Sequence, residues 1–410
     1  MSKIIPFRGV RPRNDLAEEV IAPPYDVLSE AEAREIAQAH PNSFIRVTRS
    51  EVDLPKGSDP HSKGAYLGAK AQLHQFINDH VLVQDDQPSY YLYVQKWKGR
   101  TQQGLMALCD TGEYDDGLIK KHELTRPDKE QDRTDHIDTL SAQTGLVFLT
   151  YRNNNEAVKE AIGEAAQLEA AWSITTEDAV QHSLIHINEA HLLDKITSAF
   201  GELPALYIAD GHHRSAAASR VSRLRNRSGS SGYFLAGIFP DDQLQVLAYN
   251  RLIKDLNGLR TEVFLAKLAE LFDIVPEHPP VPSHRGSYTL YIDGRWFGLK
   301  VKSERESELI PKDPVGSLDV SVLQDLVFAP MLGIENPRID KRISFVGGIR
   351  GHKALEAAVD SGAAAVAFHL YPTGIDQLLS VADADALMPP KSTWFEPKLR
   401  GGVLVHMLDE

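Results

Sequence analysis

Apolar runs of strand length alternate along the chain with stretches of helical period, and together they assign most of its elements. Residues 90–96 (YYLYVQK) and 104–109 (GLMALC) read as strands joined by the turn-rich KGRTQQ. Further strands are expected at 145–151, 205–209, 363–370, and at 233–239 and 244–249 around the turn PDDQ. A hairpin is expected over 287–301 around DGRW. Tyr66, Leu67, Ala71, Leu73 and Phe76 recur at helical spacing and predict a helix over 64–80. The same period predicts helices over 153–168, 188–200, 261–272 and 375–382. Ser29 is placed to cap a helix whose first turn holds Glu30 and Glu32, acids that the helix dipole favours there. One segment breaks the pattern. Residues 120–138 (KKHELTRPDKEQDRTDHID) are dense in charge, nearly empty of large apolar side chains, and read as a solvated loop or a lid.

Strands and helices alternate irregularly, with several hairpins and no internal repeat. The fold class expected is α+β with mixed sheets, rather than a doubly wound parallel sheet. Its 410 residues suggest two or three domains. The division expected is 1–150, an α+β region that contributes the charged segment to a site; 151–260, a core; and 261–410, a C-terminal α+β region.

Composition narrows the function classes. A formal net charge of −13 makes the surface as a whole a poor match for a nucleic-acid backbone. No stretch approaches a membrane span, and the start MSKIIPFRGVRPRND lacks the apolar core of a signal peptide. A soluble, cytoplasmic protein is expected. The lone Cys109 excludes an internal disulfide and multi-cysteine metal sites, and reads as a small buried hydrophobe on a strand. There is no P-loop, no G-x-G-x-x-G after a strand, no G-x-S-x-G elbow, and no second histidine at 126 to make a zincin helix from His122 and Glu123.

The strongest local signal is LYIADGHHRSAAAS, in which a buried strand runs through Asp210 and Gly211 into a helix. The first amides of a helix lack intrahelical partners and carry the positive end of the dipole, so an anion placed there meets several donors. Gly211 lets the backbone approach that anion, and Arg214 can offer it a planar fork. His212 and His213 can hold phosphate or move a proton. Asp210 can orient a histidine or hold Mg²⁺. The plainer alternative is that Asp210 caps the helix and the histidines are polar surface.

Two other segments carry candidate chemistry. In 120–138, Glu123 can take a proton from a substrate hydroxyl while Arg133 grips a phosphate. That role requires the segment to fold over the Asp210 loop. Near the C-terminus, Lys391, Ser392 and Thr393 offer one cation and two hydroxyls to a phosphate. The alternative there is a strand that docks Trp394 and Phe395 into the core. The stiff 22–26 segment can set Tyr25 against a nucleotide, or simply pack.

The run D-G-H-H-R at 210–214 resembles the signature of the ParB/sulfiredoxin-like fold in its free-serine-kinase branch. The chain as a whole resembles the family DUF1015 through APPYDVLS (22–29), HELT with Asp132-Arg133 (122–133), YIADGHHR (207–214), FPDDQLQVLAYNR (239–251) and MPPKSTWFEPKLRGG (388–402). The narrower resemblance implies a ParB/sulfiredoxin-like core over 151–260 whose loop binds nucleotide phosphates. It further implies a phosphotransferase acting on free serine or O-phosphoserine, with ATP or ADP and Mg²⁺. A kinase and a phosphatase would use the same parts. A nucleotide-binding regulator of ParB type is the rival from another class, which the charge and the lack of a basic helix-turn-helix argue against. Sulfiredoxin chemistry needs a cysteine in this loop, and none is there.

Overall fold

Nine strands account for the larger of the chain's sheets, and the computed structural model describes residues 2–409. The strands are β1 (Ile4–Ile5), β2 (Tyr90–Trp97), β3 (Arg100–Asp110), β4 (Ile119–Lys120), β5 (Val147–Tyr151), β6 (Ala170–Thr175), β7 (Gln181–Ile187), β8 (Leu206–Asp210) and β9 (Tyr233–Pro240). They lie in the order β4-β8-β5-β9-β3-β2-β7-β6, with β1 added alongside β3. The pairs β4/β8 and β5/β9 are parallel and the others antiparallel. The sheet is mixed, as the irregular alternation predicts. Cys109 lies on β3, fully buried with a free thiol.

Helices pack against this sheet or into a second apolar cluster of the same unit. The helices α1 (Glu30–Ala39), α2 (Lys63–Asn78), α3 (Pro127–Leu140), α4 (Glu156–Ala165), α5 (Ala190–Gly201) and α6 (His212–Leu224) all belong to this part of the chain. Ser29 and Glu32 form the expected capping box at the start of α1, with the Ser29 amide donating to Glu32 at 2.8 Å. Val158 and Ala161 of α4 and Leu192, Ile196 and Phe200 of α5 join one apolar cluster with the sheet. Ser215, Ala216, Ala217, Ala218 and Ser219 are all buried, so α6 approaches its neighbours with little side chain between them.

Residues 2–244 and 397–409 form one compact unit, and residues 245–396 form a second. This division differs from the three stretches expected from the sequence. The reason is pairing. β9 and β8, from the expected middle core, share a sheet with β1–β5 from the expected N-terminal region, so 151–260 is not a separate core. In the second unit, β10 (Tyr249–Ile253), β11 (Phe272–Pro276), β12 (Ser287–Ile292), β13 (Arg295–Val301), β14 (Ile343–Gly347) and β15 (Val366–Leu370) form an antiparallel sheet ordered β11-β13-β12-β15-β10-β14. The expected strand over 244–249 is split between a short strand, Gln245–Leu247, and β10.

The charged segment departs furthest from expectation. Residues 127–140 are helical, starting with Pro127 in the first turn, where its missing N–H costs nothing. The buried side of α3 includes Asp132, Thr134 and His136 beside Ile137 and Leu140. Residues elsewhere in the chain satisfy Asp132 and His136, and Thr134 is satisfied within the helix. His136 Nε2 lies 3.1 Å from the Val47 carbonyl, and Thr134 donates to the Glu130 carbonyl at 2.8 Å.

Buried neutral histidines make this first unit sensitive to acid. Burial holds His136 and His182 at about 3 and His406 at about 4, against an ordinary value of 6.5. A group whose folded pKa is depressed stabilises the fold above its unfolded pKa, and that contribution is lost as pH falls below it. The unfolded chain takes up these protons first. Urea midpoints should therefore fall between pH 7 and pH 5, as the unfolding free energy drops by up to about 2 kcal/mol for each such histidine. Equal midpoints at the two pH values would show that these rings are not neutral and buried.

Candidate functional site

The site is assembled where β8 ends. β4 runs parallel to β8, with Ile119 opposite Leu206 and Lys120 opposite Tyr207, so the chain after β4 emerges beside the Asp210 loop. His122 and Glu123 arrive there directly. The backbone amide of His122 donates to His212 Nε2 at 3.5 Å, and the two rings meet edge-on with centroids 4.5 Å apart. His122, Glu123 and His212 each place a donor atom within 4.8 Å of the others. Glu123 and the Asp210 loop thus share one place, as the folding-over of the charged segment requires.

Gly211 makes the turn from strand to helix possible. Its φ of 97° is left-handed, and a Cβ there would stand 3.1 Å from Arg214 Nε. The Gly211 amide donates to Asp210 Oδ1 at 2.8 Å, so Asp210 does bind the start of the helix. Asp210 Oδ2 faces two cations, Lys398 Nζ at 3.3 Å and Arg214 at 3.8 Å. Burial alone would push this carboxyl up, but the charges of Lys398 and Arg214 hold it well below the usual range. Lys398 is a site residue that the reading of single motifs missed. It belongs to MPPKSTWFEPKLRGG, 188 residues away in sequence.

Neither histidine of the loop is polar surface of the plain kind. His212 is buried, and burial, with His122 beside it, drives its pKa well below 6.5, so it is neutral at pH 7. His213 is half-buried, and its Nε2 accepts the Arg126 amide at 3.0 Å, which ties the loop to the start of α3.

Arg133 and Arg214 line one small pocket between α3 and α6, with a cavity volume of about 30 Å³. Tyr25, Thr48, His136, Gln143, Thr144 and Gly145 complete most of its wall. The Arg133 guanidinium stacks on the Tyr25 ring, 4.4 Å from its centroid, and pairs with Asp132 at 2.7 Å. Asp132 is also bonded by the Tyr66 hydroxyl at 2.7 Å and lies 2.5 Å from His61 Nδ1. These partners outweigh its burial and keep it ionised, with its pKa lowered. Arg214 donates to the Leu146 carbonyl, and a Cβ on Gly145 would come within 3.2 Å of its side chain. Two guanidiniums line the wall with no lining carboxylate, and an anion there would share them with Asp132 and Asp210, which they already face. Tyr25, whose segment admitted either packing or ligand contact, forms part of this wall.

Lys391, Ser392 and Thr393 belong to the second unit. There Lys391 stands 5.7 Å from the Tyr249 ring centroid, and the Ser392 hydroxyl donates to the Pro389 carbonyl at 2.7 Å. Trp394–Glu396 forms a short strand paired with Gln245–Leu247, as the docking alternative describes. Among the described residues no helix is long and apolar enough to cross a membrane.

The nine-stranded sheet and the Asp210 loop fall within one family description. DUF1015, a protein family of unknown function, matches residues 4–321. The chain belongs to this family. No curated protein matches the chain at a significant level. Among solved structures it is similar to SbnI with a C-terminal truncation, from Staphylococcus aureus, with TM-score 0.40 and 10% identity over 73% of this chain and 85% of that one. It is also similar to a free serine kinase in complex with AMP, with TM-score 0.35 and 12% identity over 71% and 86% of the two chains. A conserved hypothetical protein from Pyrococcus furiosus gives TM-score 0.36 and 12% identity over 74% and 96%. At overlaps this loose, the activity of the chain must be read from its own residues.

Proposed function

We propose that this chain is a nucleotide-dependent small-molecule phosphotransferase with a ParB/sulfiredoxin-like core, and that free serine or O-phosphoserine is its substrate. The observation that carries the reading is the convergence of Arg133 and Arg214 on one pocket beside the start of α6. The D-G-H-H-R resemblance to free-serine kinases supports the substrate class.

The charge of the residues present suits the phosphates of ATP or ADP, and the pocket of about 30 Å³ must widen to admit them. Two guanidiniums neutralise charge from the pocket wall, and the first turn of α6 has no side-chain cap to displace. They do not fit Mg²⁺ on Asp210 in the way the sequence suggests. Its oxygens already face Lys398, Arg214 and the Gly211 amide, and a dication would have to displace those cations. Asp210 instead fixes the loop and the orientation of Arg214.

In-line transfer asks mainly for positioning and charge neutralisation. Glu123 accepts the serine hydroxyl proton as the Oγ–P bond forms and the P–O bond to the nucleotide breaks. Neutral His212 stands beside it to pass that proton on. The reverse direction uses the same groups, with O-phosphoserine as donor.

The test is a panel of nucleotides against free hydroxy amino acids, following phosphoserine and the shortened nucleotide together. The expected result is equimolar formation of both with ATP or ADP and serine. Nucleotide binding without transfer to any hydroxy amino acid would favour a regulator instead.

A further inference from the structure

We propose that His122, Glu123 and His212 form a binding site for a first-row transition dication of the Zn²⁺ type. The donor set is two imidazoles and one carboxylate, which suits such ions and not Mg²⁺. Their donor atoms lie within 4.8 Å of one another. Around a tetrahedral ion with bonds of about 2.0–2.1 Å, donors sit roughly 3.3 Å apart. The cluster must close by no more than about 1.5 Å at its widest, which a half-buried glutamate can supply by changing rotamer.

A second observation points to a ligand independently of the spacing. Nδ1 of His122 is buried and has no hydrogen-bond partner, while the residue as a whole is 2% exposed. A buried polar nitrogen left without a partner costs on the order of 1–3 kcal/mol. Native structures retain such atoms where an ion, a water or a reaction uses them. The parallel pairing of β4 with β8 brings the two histidines together, and an ion on His212 would displace the long 3.5 Å bond that the His122 amide makes to its Nε2. Three protein donors leave a fourth position open to water or an added ligand, unlike the closed set of structural zinc.

The site shares Glu123 and His212 with the phosphotransfer reading, but its existence does not depend on that reading. It deepens it in one respect. An ion held here occupies both groups that would carry the proton, so bound metal and transfer exclude one another.

The experiment uses the full chain, freed of metal by a chelator and dialysed. Titration with Co²⁺ should give one equivalent with the visible absorption of a tetrahedral nitrogen–oxygen site, displaced by Zn²⁺. Crystals soaked in Zn²⁺ should show an anomalous peak among the three side chains. His122→Gln should abolish the absorption while nucleotide binding, measured in parallel, is retained. If His122→Gln does not fold, the anomalous peak in the unaltered protein still decides. No peak at the cluster, or Co²⁺ bound only at other histidines, would overturn the metal site. Loss of nucleotide binding in the unaltered protein would instead overturn the phosphotransfer reading, so the two failures are distinguishable.

Discussion

Glu123→Gln is expected to lower phosphoryl-transfer turnover about 10²–10⁴-fold, the usual worth of a positioned general base. Nucleotide affinity should be unchanged, because the pocket that holds phosphate is built from Arg133, Arg214 and the loop before β5, and Glu123 does not line it. The measurement is single-turnover transfer alongside equilibrium binding of ADP. The change is isosteric and removes only the ability to accept a proton. Full turnover in this variant would assign the base to another residue. An equal loss in binding and in turnover would place Glu123 among the groups that hold the substrate.

Arg214→Lys is expected to reduce turnover at least ~10-fold, a loss of ~1.4 kcal/mol of transition-state stabilisation. Lysine keeps the positive charge beside Asp210 but loses the planar fork. The native side chain lies over Gly211 and Gly145, where any Cβ would crowd it, and anchors on the Leu146 carbonyl. That arrangement holds the side chain at the pocket wall. The melting temperature should stay within a few degrees, since the Asp210 contact at 3.8 Å is a partly exposed pair of modest worth. A stable variant with undiminished activity would remove Arg214 from the mechanism. An unfolded one would make its bond to Leu146 the residue's main task.

The sequence shows the strand–glycine–helix at 206–224 plainly, because each step has a local cause. β8 is an apolar run, Gly211 alone tolerates its left-handed backbone, and the small residues after it suit a closely packed helix. The helix at 127–140 was illegible for an equally physical reason. Periodicity detects apolar faces, whereas the buried side of α3 carries Asp132, Thr134 and His136. Asp132 and His136 are made tolerable by Tyr66, His61 and the Val47 carbonyl, all distant in sequence, and Thr134 by a bond within the helix. The role of Lys398 is hidden in the same way, since nothing near 398 announces that its ammonium lies against Asp210. The two-residue strand β4 is too short to be read from pattern, yet it is what delivers His122 and Glu123 to the loop. Candidate chemistry was visible residue by residue, but the pairings that assemble it were not.

The central claim is that the pocket bounded by Arg133, Arg214 and the start of α6 holds a phosphoryl group, and a crystal structure of the full chain with ADP tests it most directly. The account predicts phosphate oxygens within hydrogen-bonding distance of the Arg214 guanidinium and the amides of residues 211–214, with Arg133 closing on the same group. A well-occupied nucleotide bound elsewhere, with this pocket unchanged, would contradict it.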